Sequence, residues 1–271
     1  MAGRASKSSS EARPVRAVER AIDVLTSFAA ERSMLEIGDL QRATGLSRPT
    51  LYRLLKTLES KGFIRSQGSP LTFELGPAVH RLAHAWDRSY PVVSVSGPAL
   101  EDLWRSSGET VALMIATSPL SRTCAVELKS PHPISFSRGT GYSDPMHRGA
   151  SGKAILAFLP EAERQAALLR VEPGRAREEL ATELRRIRKS GHALTFAELV
   201  EGVCAIGAPV IDAAGRVHGS ICVFGPRQRM QGRHLSRCVR DVMRAAQHAG
   251  NGLPVAETRP PASAGRGRKT R

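Results

Sequence analysis

The segment from Leu40 to Leu75 constrains the fold more than any other part of the chain. A helical pattern ends before Gly45, which can take the left-handed conformation that closes a helix, and Ser47 can cap the next helix. Pro49 then falls in the first turn of that helix, where its missing N–H costs no hydrogen bond. The spacing therefore predicts two helices joined by a tight turn.

The second of these helices is predicted to be amphipathic. Four leucines share one apolar stripe, namely Leu51, Leu54, Leu55 and Leu58. The opposite side carries Arg53 and Lys56, with Arg48 and Tyr52 at its edges. An α-helix fits the major groove of DNA, where Arg can bind guanine and Lys or Tyr can hold phosphates. Taken alone, the same pattern is also that of a solvated surface helix.

The sequence after this helix favours the DNA interpretation, because it predicts a β-hairpin. Phe63 to Arg65 leads into a turn-forming run, residues 66–70, and Leu71 to Leu75 alternates apolar and polar residues. Upstream, Val18, Ile22, Leu25 and Phe28 recur at helical spacing and predict the first helix of a three-helix core. The whole is typical of a winged helix-turn-helix over residues 14–76. Its predicted DNA contacts are Ser47, Arg48, Pro49, Thr50, Tyr52, Arg53, Lys56 and, to the backbone only, Arg65.

The charge of the chain is compatible with a nucleic-acid partner. Its 271 residues carry a formal net charge of +15, spread over the whole length rather than concentrated in the predicted winged module. The last 13 residues hold five basic and no acidic residues, which predicts either a disordered basic arm that adds nonspecific DNA affinity or a solvated tail. The polar start, residues 1–13, and the lack of a long apolar run predict a soluble, cytoplasmic protein with no membrane segment.

Residues 77–254 are predicted to form a linker helix and a second domain. Gly76-Pro77 breaks the chain, and an apolar stripe at helical spacing then runs to Tyr90: Val79, Leu82, Ala83 and Trp86. That stripe either dimerises or packs on the second domain. Residues 91–254 mix helical and strand patterns with a long hairpin over 205–224, which predicts an α+β ligand-sensing domain. Residues 255–271 are assigned to the basic tail.

Two motifs in this order resemble the IclR family of bacterial transcriptional regulators. They are the winged module and Pro145 to Ala157 (PMHRGASGKAILA), followed by Glu198 to Gly202, Ala208-Pro209-Val210, Gly215 and Gly225-Pro226. The resemblance covers about residues 14–250. It implies a DNA-binding domain and a GAF-like effector-binding domain that work as a dimer or a dimer of dimers on an operator, without catalysis.

The second motif can hold an anion. Gly149, Ala150, Ser151 and Gly152 open a predicted helix whose free N–H groups and dipole favour a negative charge. A small organic acid is therefore the expected effector. The same small residues also suit close packing of a helix on a sheet.

The resemblance implies further walls of an effector pocket at Met114, Glu198, Cys204, Ala205, Cys222 and Phe224. Thr195 stands where family members often carry an acidic residue, and Cys222 and Phe224 replace hydroxyl-bearing positions. These departures favour an apolar or aromatic acid over a very small polar one.

Two other function classes stay open at this stage. A thiol redox sensor is compatible with the cysteines at 124, 204, 222 and 238. An enzyme would need a thiol and a base, for which the candidates are Cys204, Cys222, His132, His147, His192 and His218. No nucleophile elbow, phosphate loop or metal-ligand spacing occurs, so we expect a non-enzyme without metal or cofactor.

Overall fold

The computed structural model describes residues 15–29, 33–118 and 120–254, in two compact units of which the first ends at Ser89 and the second begins at Tyr90. The predicted N-terminal arm, residues 1–13, and the basic tail, residues 255–271, lie outside the described residues. Both units combine helices with antiparallel sheets, which confirms the predicted α+β class.

The first unit is a winged helix-turn-helix. Its elements are α1 (Arg16–Thr26), β1 (Met34–Glu36), α2 (Ile37–Thr44), α3 (Arg48–Ser60), β2 (Ile64–Gln67), β3 (Thr72–Leu75) and α4 (Pro77–Ser89). Strands β2 and β3 form the predicted wing, and β1 pairs with the other edge of β3. The third strand was not predicted, because three residues are too few to show an alternating pattern.

The turn between α2 and α3 shows two of its three predicted features. Gly45 closes α2 with a φ of 68°, and Pro49 lies in the first turn of α3. Ser47 is the N-cap residue, but its hydroxyl lies 3.0 Å from the hydroxyl of Thr50 instead of capping a backbone N–H. On the inner side of α3, Leu51 and Leu55 are buried.

The face on which α1 packs differs from the prediction. Of the four residues predicted to lie in the core, Phe28 is buried and Leu25 packs against the core, but Val18 and Ile22 are 55% and 53% exposed. Val24, which was not predicted, is buried. Val24 lies about a third of a turn or more around α1 from residues 18 and 22 at 100° per residue. The apolar spacing therefore predicted the helix but not the side that docks.

The second unit is built on one antiparallel sheet. In chain order its elements are α5 (Pro91–Ser107), β4 (Thr110–Ser118), β5 (Ser121–Leu128), β6 (Ser143–Pro145), α6 (Gly149–Leu156), α7 (Glu161–Leu168), α8 (Arg175–Ser190), β7 (Ala193–Phe196), β8 (Val203–Ile211), β9 (Val217–Pro226) and α9 (Gly232–Asn251). The six strands lie in the order β6-β5-β4-β9-β8-β7. The predicted long hairpin is β8 and β9, joined by a turn in which the carboxylate of Asp212 accepts the N–H of Ala214 and Arg216, each at 2.9 Å.

Helices cover both faces of this sheet. Helices α5 and α9 pack on one face, and α6 packs on the other with α8 against it. Every residue of α6 is buried, which is why its sequence, GASGKAIL, lacks the one-sided pattern of a surface helix. A Cβ on Gly207 would lie 2.8 Å from the carbonyl oxygen of Ala150, so a glycine in β8 lets α6 approach closely. This contact places the start of α6 directly over the sheet.

Among the described residues, every helix is either too short or too polar to cross a lipid bilayer. Within the same residues, no group of three His, Cys, Asp or Glu side chains is arranged to hold a metal ion.

Candidate functional site

The exposed side of α3 gathers most of the residues predicted to contact DNA. Ser47, Arg48, Pro49, Tyr52, Arg53 and Lys56 are exposed there, whereas Thr50 is half-buried. The ring of Tyr52 is 47% exposed although it is a large apolar surface. The helix thus presents cationic and hydrogen-bonding groups outward from a side that the rest of the unit does not cover.

A contact between α2 and α3 orients one of these cations. The Nε of Arg48 donates a hydrogen bond to Oε1 of Gln41 at 3.0 Å. The contact joins the two helices across the turn and restricts the rotamers of Arg48. Sequence reasoning missed Gln41, because its role depends on how the two helices pack.

The cation predicted on the wing is already paired. Arg65 donates from Nε and Nη2 to Oε1 of Glu74, at 3.0 and 2.7 Å. The neighbouring residue Ser66 donates its backbone N–H, at 2.9 Å, and its hydroxyl, at 2.6 Å, to the carboxylate of Glu59 at the end of α3. Glu74 therefore offsets the charge of Arg65 and Glu59 braces the strand beside it, so the wing carries little positive charge.

The second unit holds a cavity between the sheet and the start of α6. It contains about 720 Å³ of space between atoms, part of which is open to solvent. Eight residues predicted for the effector pocket line it: Met114, Gly149, Ala150, Ser151, Glu198, Ala205, Cys222 and Phe224. Thr195 lines it as well. Side chains from four strands and from the start of one helix thus converge on one space.

One predicted wall residue, Cys204, does not line the cavity. It is fully buried in β8, next to Ala205, which does line the cavity. Because successive side chains of a strand point to opposite faces, Cys204 must face the side of the sheet covered by α9. The sequence prediction had placed both neighbours in the pocket.

A carboxylate side chain lies at the start of α6. The backbone N–H of Gly149 donates to Oε1 of Glu198 at 3.1 Å, and Oε2 of Glu198 lies 2.8 Å from Nζ of Lys153. Lys153 is buried and has a second carboxylate partner, Glu183 of α8, also at 2.8 Å. Arg148, the N-cap residue of α6, makes no side-chain hydrogen bond to the helix.

A buried arginine that sequence reasoning missed also lines the cavity. Arg122 is 1% exposed, its Nε donates to the hydroxyl of Ser151 at 2.8 Å, and its Nη1 donates to the carbonyl of Pro145. Its Nη2 lies 3.5 Å from Oδ2 of Asp144. Burial lowers the pKa of Arg122 below its ordinary value, and the carboxylate of Asp144 opposes that shift. An isolated arginine at a strand end gives no sequence signal for this role.

The cysteines are poorly suited to thiol chemistry. All four are buried, and burial raises the pKa of Cys222 to about 12 and that of Cys204 and Cys238 to about 11. Burial also raises the pKa of Cys124. No histidine lines the cavity among the described residues, so Cys124 and Cys222 have no imidazole base there. Outside the cavity, Sγ of Cys238 lies 3.6 Å from Nε2 of His234.

Comparisons with known proteins agree over nearly the whole chain. A family model described as the IclR helix-turn-helix domain matches residues 17–68, and one described as the C-terminal part of the bacterial transcriptional regulator IclR matches residues 84–250. An HTH-type transcriptional regulator of Mycobacterium tuberculosis is 34% identical over 81% of this chain and 85% of its own length. The transcriptional repressor IclR of Escherichia coli is 24% identical over 86% of this chain and 88% of its own.

Solved structures show the same fold. An IclR homolog from Microbacterium hydrocarbonoxydans, crystallised with 4-hydroxybenzoate, aligns with a TM-score of 0.73 at 19% identity and covers 86% of this chain and 97% of its own. The Thermotoga maritima IclR aligns with a TM-score of 0.71 at 21% identity, over 87% of this chain and 97% of its own.

Proposed function

The chain belongs to the IclR family of bacterial DNA-binding transcriptional regulators, and from this premise we propose that a small organic acid controls its affinity for an operator. The observation that carries the proposal is the cavity at the start of α6, where helix N–H groups border a mostly apolar space. Residues 14–76 serve as the DNA-binding domain, 77–90 as a linker helix and 91–254 as the effector-binding domain. The protein acts as a regulator rather than an enzyme.

The DNA contacts of this proposal centre on α3. The helix enters the major groove, Arg53 binds a base edge, and Arg48, Tyr52 and Lys56 hold the flanking backbone. The exposure of these side chains and the orientation of Arg48 by Gln41 support the assignment. The wing approaches the sugar-phosphate backbone and adds little, because Arg65 is paired with Glu74.

The effector of this proposal is a carboxylic acid with an apolar or aromatic body. Its carboxylate lies against the first turn of α6, and its body lies among Met114, Cys222 and Phe224. The 4-hydroxybenzoate bound by the homolog of the same fold supports an aromatic acid. Binding changes the spacing or tilt of two recognition helices, and a coupling of about 1–3 kcal/mol would alter operator affinity about 5- to 150-fold.

Two recognition helices require two copies of the chain, so we propose a homodimer or a dimer of dimers. The apolar stripe of α4 is a candidate contact, since Leu82 in that stripe is 59% exposed. Sedimentation of wild type and of Leu82→Lys tests this, and an unchanged dimer in the variant would exclude the stripe as a main contact.

The test of DNA recognition is a mobility shift with the DNA upstream of the protein's own gene, at physiological salt and with excess nonspecific competitor. We expect a discrete wild-type complex that Arg53→Ala loses. Arg175→Ala, which removes the same charge from an exposed position in the second unit, is the control and should bind normally. If the nonspecific competitor displaced the upstream DNA equally from wild type and from Arg53→Ala, sequence-specific recognition by α3 would be contradicted.

The test of the effector is the same mobility shift repeated with a panel of organic acids, together with thermal unfolding of the protein in their presence. An effector should raise the unfolding temperature and change the amount of complex. The effector proposal would be overturned if no acid in the panel changed either the unfolding temperature or the amount of protein–DNA complex.

A further inference from the structure

We propose that Arg122 selects the chemical class of the effector: the cavity accepts an anionic carboxylate and rejects the matching amide and any ligand that carries an ammonium group. This inference rests on the proposed function and names the ligand class of the same cavity. It concerns a residue that neither the sequence motifs nor the helix start would identify.

The position of Arg122 brings a cation to the cavity wall. It lies in β5, and its side chain reaches the first turn of α6, where it binds the hydroxyl of Ser151. A charged group this deeply buried is costly unless anionic groups surround it. The carboxylate of Asp144 lies 3.5 Å away and is shared with Arg138, at 3.9 Å, and with the hydroxyl of Tyr142, at 3.2 Å. Asp144 therefore compensates the guanidinium only in part.

Arg122 keeps hydrogen-bonding capacity at the cavity wall. A guanidinium has five N–H groups, and the described contacts of Arg122 use three of them. The acidic residues of the wall are already occupied. Glu127 accepts the hydroxyl of Ser137 and the N–H groups of residues 138 and 139, and Glu198 accepts from Gly149 and Lys153. A ligand that enters therefore meets a wall whose three carboxylates, Glu127, Asp144 and Glu198, already accept hydrogen bonds. Beside them lies a guanidinium with two N–H groups outside its described contacts.

The glycines of the second motif fit around this guanidinium. A Cβ on Gly152 would lie 2.6 Å from Nη1 of Arg122, and one on Gly149 would lie 3.2 Å from Nη2. A Cβ at Gly152 would displace the guanidinium, and one at Gly149 would crowd it, so the small residues leave room for Arg122 at the helix start. The positive end of the α6 dipole and the guanidinium therefore border the same part of the cavity, and both favour an anion there.

The first experiment varies the ligand and uses the wild-type protein only. Calorimetric titration of the full-length wild type compares benzoate with benzamide, 4-hydroxybenzoate with 4-hydroxybenzamide, and cyclohexanecarboxylate with its amide, and adds benzylamine as a cation. We expect each acid that binds to exceed its amide by about 10- to 100-fold, because charge-assisted hydrogen bonds are lost in the amide. We expect no binding of benzylamine.

The protein side of the test compares Arg122→Gln and Arg122→Lys with Arg138→Gln. The last variant removes a cation from the same cavity wall, from a side chain that is 26% exposed. Arg122→Gln should abolish the preference for acid over amide, Arg122→Lys should restore part of it, and Arg138→Gln should keep it. If Arg122→Gln does not fold, the wild-type ligand pairs decide alone.

The outcomes separate this inference from the function on which it rests. Equal binding of acids and amides to wild type, or an undiminished preference in folded Arg122→Gln, would overturn the role of Arg122 and leave a small-molecule effector in place. Failure of every acid and amide to bind would overturn the effector proposal and this inference together.

Discussion

Glu198 and Lys153 form an ion pair at the cavity wall, with 2.8 Å between Oε2 of the carboxylate and Nζ of the ammonium. The pair ties the segment after β7 to the buried helix α6, and Lys153 extends it to Glu183 of α8. Glu198 also accepts the N–H of Gly149, so a carboxylate of the protein itself already occupies one donor at the helix start. An effector carboxylate therefore meets both the attraction of the helix and the repulsion of Glu198.

Replacing this carboxylate should separate the two effects. We expect Glu198→Gln to lower the free energy of unfolding by about 1–3 kcal/mol, because Lys153 loses one of two charged partners. We expect the same variant to bind aromatic acids more tightly, about three- to tenfold, since a like charge leaves the cavity wall. Urea unfolding and calorimetric titration measure the two quantities.

Glu183→Gln is the matched control. Glu183 makes the other contact to Lys153, at the same 2.8 Å, but does not line the cavity. It should lower stability to a similar extent and leave acid affinity unchanged. A gain in affinity in both variants would show that Lys153, rather than Glu198, sets the charge that the ligand meets.

A methyl group at Gly152 should disrupt the helix start. A Cβ there would overlap the carbonyl oxygen of Met146 and crowd the guanidinium of Arg122, and the backbone oxygen cannot move away freely. We expect Gly152→Ala to cost about 2–3 kcal/mol of stability, measured by calorimetric unfolding. Gly38→Ala in α2 should be neutral or stabilise by up to about 1 kcal/mol, because its Cβ would meet only the end of Arg42 at 3.9 Å. Comparable losses of stability in Gly152→Ala and Gly38→Ala would contradict a steric cause that is specific to position 152.

Local chemistry explains which parts of the structure could be predicted. The cap at Gly45, the proline at position 49 and the alternation of Leu71 to Leu75 each act within a few residues, so the recognition helix and the wing follow from the sequence. The helix-opening residues Gly149 to Ser151 were found for the same reason.

The remaining features depend on contacts between distant residues. Arg122 reaches Ser151 across 29 positions of the chain, and Glu198 reaches Gly149 across 49. No spacing within one element carries such information. The side of α1 that packs was likewise decided by tertiary packing. By contrast, strand alternation alone excludes that Cys204 and Ala205, which are neighbours in β8, both line the cavity. Strands as short as β1 and β6, three residues each, fall below the length at which alternation is visible.

The thiols should be unreactive in the folded protein. With a pKa of about 11 for Cys204 and Cys238 and about 12 for Cys222, fewer than about one in a thousand of these thiols is ionised at pH 7.5. We expect slow labelling by iodoacetamide that stays slow between pH 7 and 9, whereas the urea-unfolded chain labels rapidly and about 25-fold faster at pH 9 than at pH 7. Mass spectrometry measures the labelling rate of each cysteine in the folded and in the urea-unfolded chain. Rapid labelling of any one cysteine in the folded protein, with loss of operator binding on oxidation, would revive the redox-sensor hypothesis.

The ion pair between Arg65 and Glu74 on the wing is expected to limit DNA affinity. Glu74 holds Arg65 through two donors, so in the resting wing this cation is not available to DNA. We expect Glu74→Gln to tighten DNA binding and to steepen its salt dependence by about one unit in the log–log slope, as one phosphate contact is gained. Arg65→Gln, with Glu74 unchanged, should weaken binding by less than about threefold, while Arg53→Ala abolishes the specific complex. The measurement is binding affinity by fluorescence anisotropy between 50 and about 200 mM salt. If Arg65→Gln weakened binding as much as Arg53→Ala, the ion pair would have to open on DNA, and the wing would contribute as much as the recognition helix.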